Sequence, residues 1–510
     1  MSICKKIGGF FLISGMRKLI TVAQMREADA DCLKAKNLSS VGLMERAASA
    51  FLNVFYGLIP EKYQSILVLC GTGNNGGDGL AIARLLQCSG YSNIRVMIIR
   101  TGGKESADFL HNLVRLEETP IEFSYWDGED LENISEDVII DAILGSGINR
   151  PLNNDLLRLV RMINKTGKHL IAVDCPTGFP SDGELPTNES VLIVKDVISF
   201  QRPRLNFFFP ESAAFLQTFH VVDIGLREEF IESCPSDYYL LQSSDITGIY
   251  RPRENFSHKG TYGHALIYAG SAGKSGAALL SAEACIYSGA GLTSVCIPEE
   301  DRVALHTRLP EAMYLNIKEA WKVEHRDSFS AIAIGPGLGN NTFLIEQIIN
   351  ETKVPMVIDA DGLNYLSHNR SLLGRLPKGT ILTPHMKEFD RLFGESSSWW
   401  SRLLLAIEQA KKYQVIIVLK NRYTFIVLED GRVMINPTGN PGMASGGMGD
   451  VLTGIIVSFL AQGYTPKEAC ILSCYLHGKA GDSLVASGRY SVSATQLIAK
   501  MPFIIGDIRS

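Results

Sequence analysis

The sequence predicts an α/β protein of two domains, each a mostly parallel sheet between layers of helices. Three observations carry this. A chain of 510 residues is longer than one hydrophobic core organises. Short apolar runs such as Ser65–Cys70 and the one that opens Ala331–Gly339 recur between helix-like segments, and a run without alternation suits a strand buried on both faces. The series is broken once, at a polar and aperiodic stretch over 227–240. The domains are therefore placed at 21–232 and 240–510, after an N-terminal extension over 1–20.

Composition narrows the function classes. A net charge of −5 gives no support to a nucleic-acid-binding face, and no stretch is long and apolar enough to span a membrane. The ten cysteines form no C-x-x-C pair. Cys470 and Cys474 lie one helical turn apart, but two thiols do not make a zinc site. Reduced thiols in a cytoplasmic protein are expected. Residues 1–15 have a faint signal-peptide look without a small-residue cleavage site, so no secretory signal is expected, and Met16 is an alternative start.

The first half opens with helical periodicity over 21–55 (Met25, Ala28, Leu33, then Leu43, Met44, Ala47, Ala48, Phe51). The strand at 65–70 runs into Gly71-Thr-Gly-Asn-Asn-Gly-Gly-Asp-Gly79, and a helix is predicted from Leu80. Strand, glycine loop and helix make a nucleotide-binding type of crossover, although the glycine spacing is not the dinucleotide fingerprint. The carboxamides and carboxylate of Asn74, Asn75, Gly76, Gly77 and Asp78 suit a polar ligand and a cation. Further strands are predicted at Ile94–Ile99, Asp137–Ile143 and His169–Asp174. Two of them lead into Asp141-Ala-Ile-Leu-Gly-Ser-Gly-Ile-Asn-Arg-Pro151 and Asp174-Cys-Pro-Thr-Gly178. Either aspartate alone could simply form a turn. Three polar loops gathered on one sheet edge argue for a site.

The motifs G-T-G-N-N-G-G-D-G, D-A-I-L-G-S-G and D-C-P-T-G resemble the epimerase domain of NAD(P)H-hydrate repair enzymes, from about Thr21 to Gly225. The resemblance implies a Rossmann-like sandwich. It implies a hydrate site lined by Asn74 to Asp78 and by Gly145, Ser146, Gly147, Ile148, Asn149, Arg150 and Pro151. It also implies a potassium ion held by Asn75, Asp141 and Thr177, with Asp174 contacting substrate and acting as the acid/base. The family more often reads Asp-Ile-Pro-Ser-Gly at 174–178, and Thr177 keeps the oxygen that the serine would supply.

The second half begins a strand at His264–Ala269, followed by Gly270-Ser-Ala-Gly-Lys-Ser-Gly276. The phosphate-loop spacing G-x-x-x-x-G-K-[ST] fails there, because Tyr268 stands where its first glycine belongs. These glycines are read as allowing close backbone approach. Then come Gly335-Pro-Gly-Leu-Gly339, Pro355-Met-Val-Ile-Asp-Ala-Asp-Gly362, Ile381-Leu-Thr-Pro-His-Met-Lys-Glu-Phe389 and Val415–Lys420. The series ends in Asn440-Pro-Gly-Met-Ala-Ser-Gly-Gly-Met-Gly-Asp450, with an apolar helix predicted from Val451. A glycine-dense loop entering a helix is an anion site, because free N–H groups of the first turn point at the ligand. Asp450 could merely cap that helix, but a cap needs no glycine loop. A base beside an anion hole would deprotonate a hydroxyl as it attacks a phosphoryl group.

These motifs, in this order over 240–510, resemble the ribokinase-like dehydratase domain of the same repair enzymes. The resemblance implies an NAD(P)H-hydrate dehydratase that uses ADP, or ATP, with Mg2+. Nucleotide would be bound by Lys420, Asn421, Arg422, Tyr423 and Thr424, and by Asn440, Pro441, Gly442, Met443, Ala444, Ser445, Gly446, Gly447, Met448 and Gly449. Ala277, Gly337 and His385 would contact the hydrate, and Asp450 would be the base. The chain departs from the family at Met386-Lys387, where Pro-Gly is usual, and at Asn421, where Gly is usual. The substrates implied are NADH hydrate, NADPH hydrate and ADP, and a homo-oligomer is expected. The alternative is a vitamin-type small-molecule kinase of the ribokinase class with a non-catalytic N-terminal ligand-binding module.

Overall fold

The computed structural model describes residues 16–100, 102, 104–128, 134–147, 151–186, 188–317, 320–322 and 326–508. It divides into two units. Among the described residues the first is 19–236 with 398–400, and the second is 16–18 with 237–397 and 401–508.

The first unit holds a seven-stranded sheet, parallel throughout. Its strand order is Glu122–Tyr125, Ile94–Ile98, Ile66–Cys70, Val138–Ala142, His169–Val173, Val194–Phe200 and Leu216–Val222. Ile66–Cys70 is buried at every residue, with Ile66, Val68 and Cys70 in one core layer and Leu67 and Leu69 in the other. That two-sided burial is why the run carries no polar alternation. The chain leaves Ile66–Cys70 toward one edge, then returns to Val138–Ala142 and proceeds to the other. The loops after these two strands diverge at a topological switch point, where such sheets open a crevice.

Helices Val22–Lys36 and Ser40–Leu58 start where Thr21 and Ser39 accept N–H bonds as N-caps, Thr21 in a reciprocal box with Gln24. Ser40–Leu58 buries Leu43, Ala47, Phe51 and Phe55 along one face. Truncating either phenylalanine would cost about 3–5 kcal/mol.

The helix predicted from Leu80 begins earlier, at Asn74. The glycines that suggested a loop sit inside its first turns because there is no room for a side chain. A Cβ on Gly76 would lie 1.7 Å from the Gly71 carbonyl oxygen, and one on Gly79 would lie 2.6 Å from the Ala142 Cβ. Glycine here permits close helix–strand packing and does not break the helix.

The second unit holds an eleven-stranded mixed sheet. Its parallel part runs in the order Ile416–Leu419, Ile381–Leu382, Met356–Ile358, Ala331–Ile334, His264–Tyr268, Leu292–Cys296 and Met313–Leu315. The switch point falls between His264–Tyr268 and Ala331–Ile334, so the loops at 270–276 and 335–339 face the same crevice. Beyond Ile416–Leu419 the antiparallel strands Thr424–Val427 and Val433–Asn436 extend the sheet.

Two features near the boundary differ from the sequence expectation. Residues 227–240 are not irregular: they form helix Glu228–Ser233 and strand Tyr238–Leu240. Arg17 and Lys18, expected in an extension, pair antiparallel with Leu240 and Tyr239 at the edge of the second sheet.

The apolar helix of the second unit spans Met448–Ala461 and is buried from Val451 onward. A helix apolar on every side must be enclosed. It crosses helix Ser275–Tyr287 at Gly454, where a Cβ would meet the Ser281 carbonyl oxygen at 2.2 Å. The Ser281 hydroxyl donates to the Asp450 carbonyl oxygen at 2.9 Å, which fixes the first turn of one helix against the other. No helix among the described residues is long and apolar enough to cross a membrane.

Candidate functional site

In the first unit a cavity of about 830 Å³ opens at the switch point. Asn74, Asn75, Asp78, Gly145, Ser146, Gly147, Pro151 and Asp174 all line it. Gly76 and Gly77 lie in the same helix turn, buried beneath it. Ile148, Asn149 and Arg150 lie outside the described residues.

Asp174 sits at φ 64, a conformation uncommon for a residue with a side chain. Its Oδ1 accepts from Arg204 at 2.6 Å, and from the Ser199 hydroxyl and the Phe200 N–H at 3.3 Å each. Burial alone would raise its pKa, but the Arg204 charge and these donors, with Ser146, hold it below the usual carboxylate range. Asp78 shows the opposite: burial beside Asp174, Asp29 and Asp108 pushes its pKa well up.

Of the three expected cation ligands, Asp141 and Thr177 meet directly. Asp141 takes the Thr177 hydroxyl on Oδ1 and the Thr177 N–H on Oδ2, both at 2.7 Å. Gly145 follows on the same loop, where a Cβ would lie 3.0 Å from Asn75 Oδ1. Burial pushes Asp141 up to about 6, opposed only by bonds from Thr177 and Ile143. Among the described residues no cationic side chain compensates it. A dehydrated cation held by oxygens fits that environment.

Three charged lining residues, Arg26, Asp29 and Arg204, escaped the sequence reading. Arg26 and Asp29 share the helix of which Met25, Ala28 and Leu33 were read as core. Val22, Met25, Arg26 and Asp29 follow i, i+3, i+4, i+7 spacing and line the cavity as one face. Arg204 follows the strand Val194–Phe200, which was not recognised. A search for every loop after a parallel strand would have found it.

In the second unit the motif loops converge on Asp359. Its carboxylate is 1% exposed as a residue and takes Lys420 Nζ at 2.8 Å and the Thr453 hydroxyl at 2.8 Å. Gly335 fits beneath it, since a Cβ there would lie 1.8 Å from the Asp359 carbonyl oxygen. Gly337, at φ 63, abuts Ala277 and the Lys274 backbone, and the Ser271 hydroxyl donates to its carbonyl at 2.8 Å. A cleft of about 510 Å³ adjoins these residues, lined by Ser271, Lys274, Asn340 and Asn341 among others. The loop at 270–276 thus lines this cleft through Ser271, Ala272 and Lys274.

His385 is the N-cap of helix Met386–Phe393, in a reciprocal box with Glu388. Its imidazole is half exposed. The Lys420 N–H donates to the Pro384 carbonyl at 3.2 Å, which draws the His385 and Lys420 loops together.

Asp450 is not a cap. The helix begins at Met448, three residues before the predicted start, and Gly447 at φ 89 is its N-cap. A Cβ on Gly447 would lie 2.6 Å from Leu280 Cδ1. Asp450 therefore stands in the first turn, and no side chain caps the helix. The N–H groups of Gly446, Gly447, Met448 and Gly449 take no partner among the described residues. Gly449 lies against the ion pair, with a Cβ there 3.4 Å from Lys420 Nζ and 3.6 Å from Asp359 Oδ2. Burial and the nearby Asp359 charge push Asp450 up to about 6, against the pull of Lys420. Unpartnered amides and a poised carboxylate thus share one turn.

The rest of the expected nucleotide segment is braced from below. Asn440 accepts from Gly442 N–H and donates to Asp482 at 2.8 Å, and Asp482 also takes the Gly439 N–H at 3.1 Å. Asp482 was absent from the sequence reading because it lies on a distant helix. Pro441 and Met443 complete a short 3-10 turn, Ala444 is exposed, and the Ser445 hydroxyl donates to the Val492 carbonyl. Asn421 accepts from the Arg422 N–H, and the Arg422 guanidinium lies 4.5 Å from the Tyr423 ring centroid. Thr424 opens the next strand.

The chain resembles known proteins over nearly its whole length. Residues 265–503 match a family described as NAD(P)H-hydrate dehydratase, and residues 40–205 match one described as YjeF-related protein N-terminus. It is 31% identical to the bifunctional NAD(P)H-hydrate repair enzyme Nnr of Moorella thermoacetica, covering 96% of this chain and 97% of that one. It is 32% identical to the Vibrio cholerae protein of the same name, over 94% and 96%. Among solved structures it is similar to an ADP/ATP-dependent NAD(P)H-hydrate dehydratase of Bacillus subtilis co-crystallised with ATP/Mg2+. That likeness has 33% identity, covers 52% of this chain and 97% of that one, and gives a TM-score of 0.48. The chain belongs to the family of bifunctional NAD(P)H-hydrate repair enzymes.

Proposed function

We propose that the chain repairs hydrated nicotinamide cofactors in two steps. The first unit interconverts the R and S epimers of NAD(P)H hydrate, and the second dehydrates the S epimer at the expense of ADP. The observation that carries the second step is Asp450, set in the same helical turn as unpartnered backbone N–H groups. Hydroxide is a poor leaving group, so the hydroxyl must first be converted into a better one. Asp450 takes its proton as the oxygen attacks the terminal phosphorus of ADP and AMP departs. The N–H groups of Gly446 to Gly449 hold the charge that develops on the phosphoryl oxygens. The electron pair on the ring nitrogen then expels phosphate, and loss of a ring proton restores the dihydropyridine. Among the described residues no group of three His, Cys, Asp or Glu side chains could hold a metal. Magnesium would bridge the nucleotide phosphates and neutralise part of their charge.

In the first unit Asn75, Asp141 and Thr177 would hold potassium, whose charge would compensate the buried Asp141 carboxylate and tie three loops together. Asn74 to Asp78, Gly145 to Pro151 and Asp174 would hold the hydrate. Lys420 to Thr424 and Asn440 to Gly449 would hold the nucleotide. Within that set Lys420 also serves Asp359, so its ammonium is fixed before nucleotide arrives. Gly337, Ala277 and His385 would contact the hydrate. A cytoplasmic location and a homo-oligomer complete the proposal, and light scattering reads the latter. The test of the two-step scheme is epimer-resolved chromatography of each pure hydrate epimer, with and without ADP. Without ADP each epimer should pass into the other with no NADH formed. With ADP both should disappear into NADH. Failure of either conversion refutes the corresponding unit's assignment.

A further inference from the structure

We propose that Asp29 is the proton-donating residue of the epimerase site, acting opposite the fixed anion of Asp174. This rests on the epimerase reading of the first unit. Asp29 is brought into the cavity by the helix face of Val22, Met25 and Arg26, and it shares that cavity with Asp78, Asp174 and Arg204. It makes no hydrogen bond or ion pair among the described residues, so its carboxyl is uncommitted and available to a ligand. Asp174 is the reverse: four donors pin it, and the Arg204 guanidinium keeps it ionised.

The charged groups facing Asp29 are Asp174 and Arg204, with Asp78 across the cavity. Burial, then repulsion from Asp174, pushes Asp29 up to about 6, against the pull of Arg204. Of the three carboxyl groups in the cavity, Asp29 and Asp174 are displaced in opposite directions. Asp29, unlike Asp78 in the glycine-lined turn, stands on the opposing helix face, so the pair divides the labour of an acid and a base.

Epimerisation at the hydroxyl-bearing carbon needs one of its bonds to break and reform. On the ring-opening route the hydroxyl proton passes to Asp174 as the carbon–nitrogen bond breaks. The electron pair of that bond goes to the ring nitrogen, which takes the proton of Asp29. The oxygen is left as an aldehyde. The aldehyde arm turns, and closure runs both transfers backward, so each carboxyl ends as it began. Because the transfers are concerted, a weakly basic Asp174 suffices: the hydroxyl becomes acidic as nitrogen is protonated.

The experiment uses the full-length protein and one pure epimer of NADH hydrate without ADP, following the epimer ratio through the acid-to-neutral range and subtracting the rate without enzyme. Wild type should show kcat/KM falling as pH rises through about 6, because Asp29 must carry its proton. Asp29→Asn should lower kcat by roughly 10²–10⁴-fold with KM little changed, and should abolish that limb. Asp29→Glu should restore part of the rate with a displaced limb. Wild-type rate and pH profile in Asp29→Asn would overturn the assignment. Should Asp29→Asn not fold, an undisplaced limb in Asp29→Glu overturns it instead. A wild-type protein that does not interconvert the epimers at all refutes the epimerase reading itself, a separate outcome.

Discussion

Replacing Asp450 with Asn separates a catalytic base from a structural cap, because the two roles move stability in opposite directions. The carboxyl is raised from 3.8 to about 6 by burial and the Asp359 charge, against Lys420. A raised carboxyl favours folding only while it is protonated. Its contribution is present below the unfolded pKa and is lost as pH climbs through the folded value of about 6. The displacement of about two pH units, at about 1.36 kcal/mol each, puts the cost of the ionised side chain at neutral pH at no more than about 3 kcal/mol. Asn keeps the size and cannot ionise. Asp450→Asn should therefore be more stable than wild type at neutral pH by an amount of that order, and the difference should vanish in acid. Dehydratase turnover should fall by roughly 10²–10⁴-fold, or about 2.7–5.4 kcal/mol of barrier. Thermal unfolding across pH, paired with the return of NADH absorbance from the S epimer and ADP, reads both. A variant that keeps near-normal turnover, or that loses stability at neutral pH, refutes the placement of Asp450 as a strained base.

Asp174→Ala should leave dehydration of the S epimer intact, so that an equal mixture of epimers is repaired quickly to about half and then only at the uncatalysed rate; Asp450→Asn should instead equilibrate epimers and form no NADH, as chromatography of both would show. Lys420→Ala strands the buried Asp359 with only Thr453 as its side-chain partner, and chemical denaturation should show a loss of about 3–5 kcal/mol, where a merely nucleotide-facing lysine would leave stability unchanged. Potassium should raise the unfolding temperature more than an equal concentration of a bulky organic cation, and the margin should widen as pH rises through about 6, where Asp141 ionises; an equal effect of both cations at every pH contradicts the ligand set.

The parallel strands were legible because two-sided burial erases polar alternation, as in Ile66–Cys70 and Ala331–Ile334. The gathering of the loops that follow them was legible because topology brings such loops to one edge. The helix starts at Asn74 and Met448 were misplaced because glycine reads as a breaker from sequence alone. Only the approach of the Gly71 carbonyl to Gly76, and of Leu280 to Gly447, shows why a side chain is excluded there. The strand Arg17–Lys18 was unreadable because two residues carry no pattern. Asp29 and Asp359 were missed for different reasons. Asp29 sits one turn from Met25 on a helix judged by its apolar residues alone. Asp359 stood in a motif that was noticed, but its ion pair with Lys420 joins positions 61 residues apart.

The most direct measurement of the two-step repair scheme is the product balance from an equal mixture of NADH hydrate epimers, wild-type protein, ADP and magnesium. The account predicts that all of the hydrate, not half, returns as NADH, with one phosphate and one AMP released for each NADH formed. A stable phosphorylated hydrate accumulating without NADH would contradict it and make the second unit a kinase.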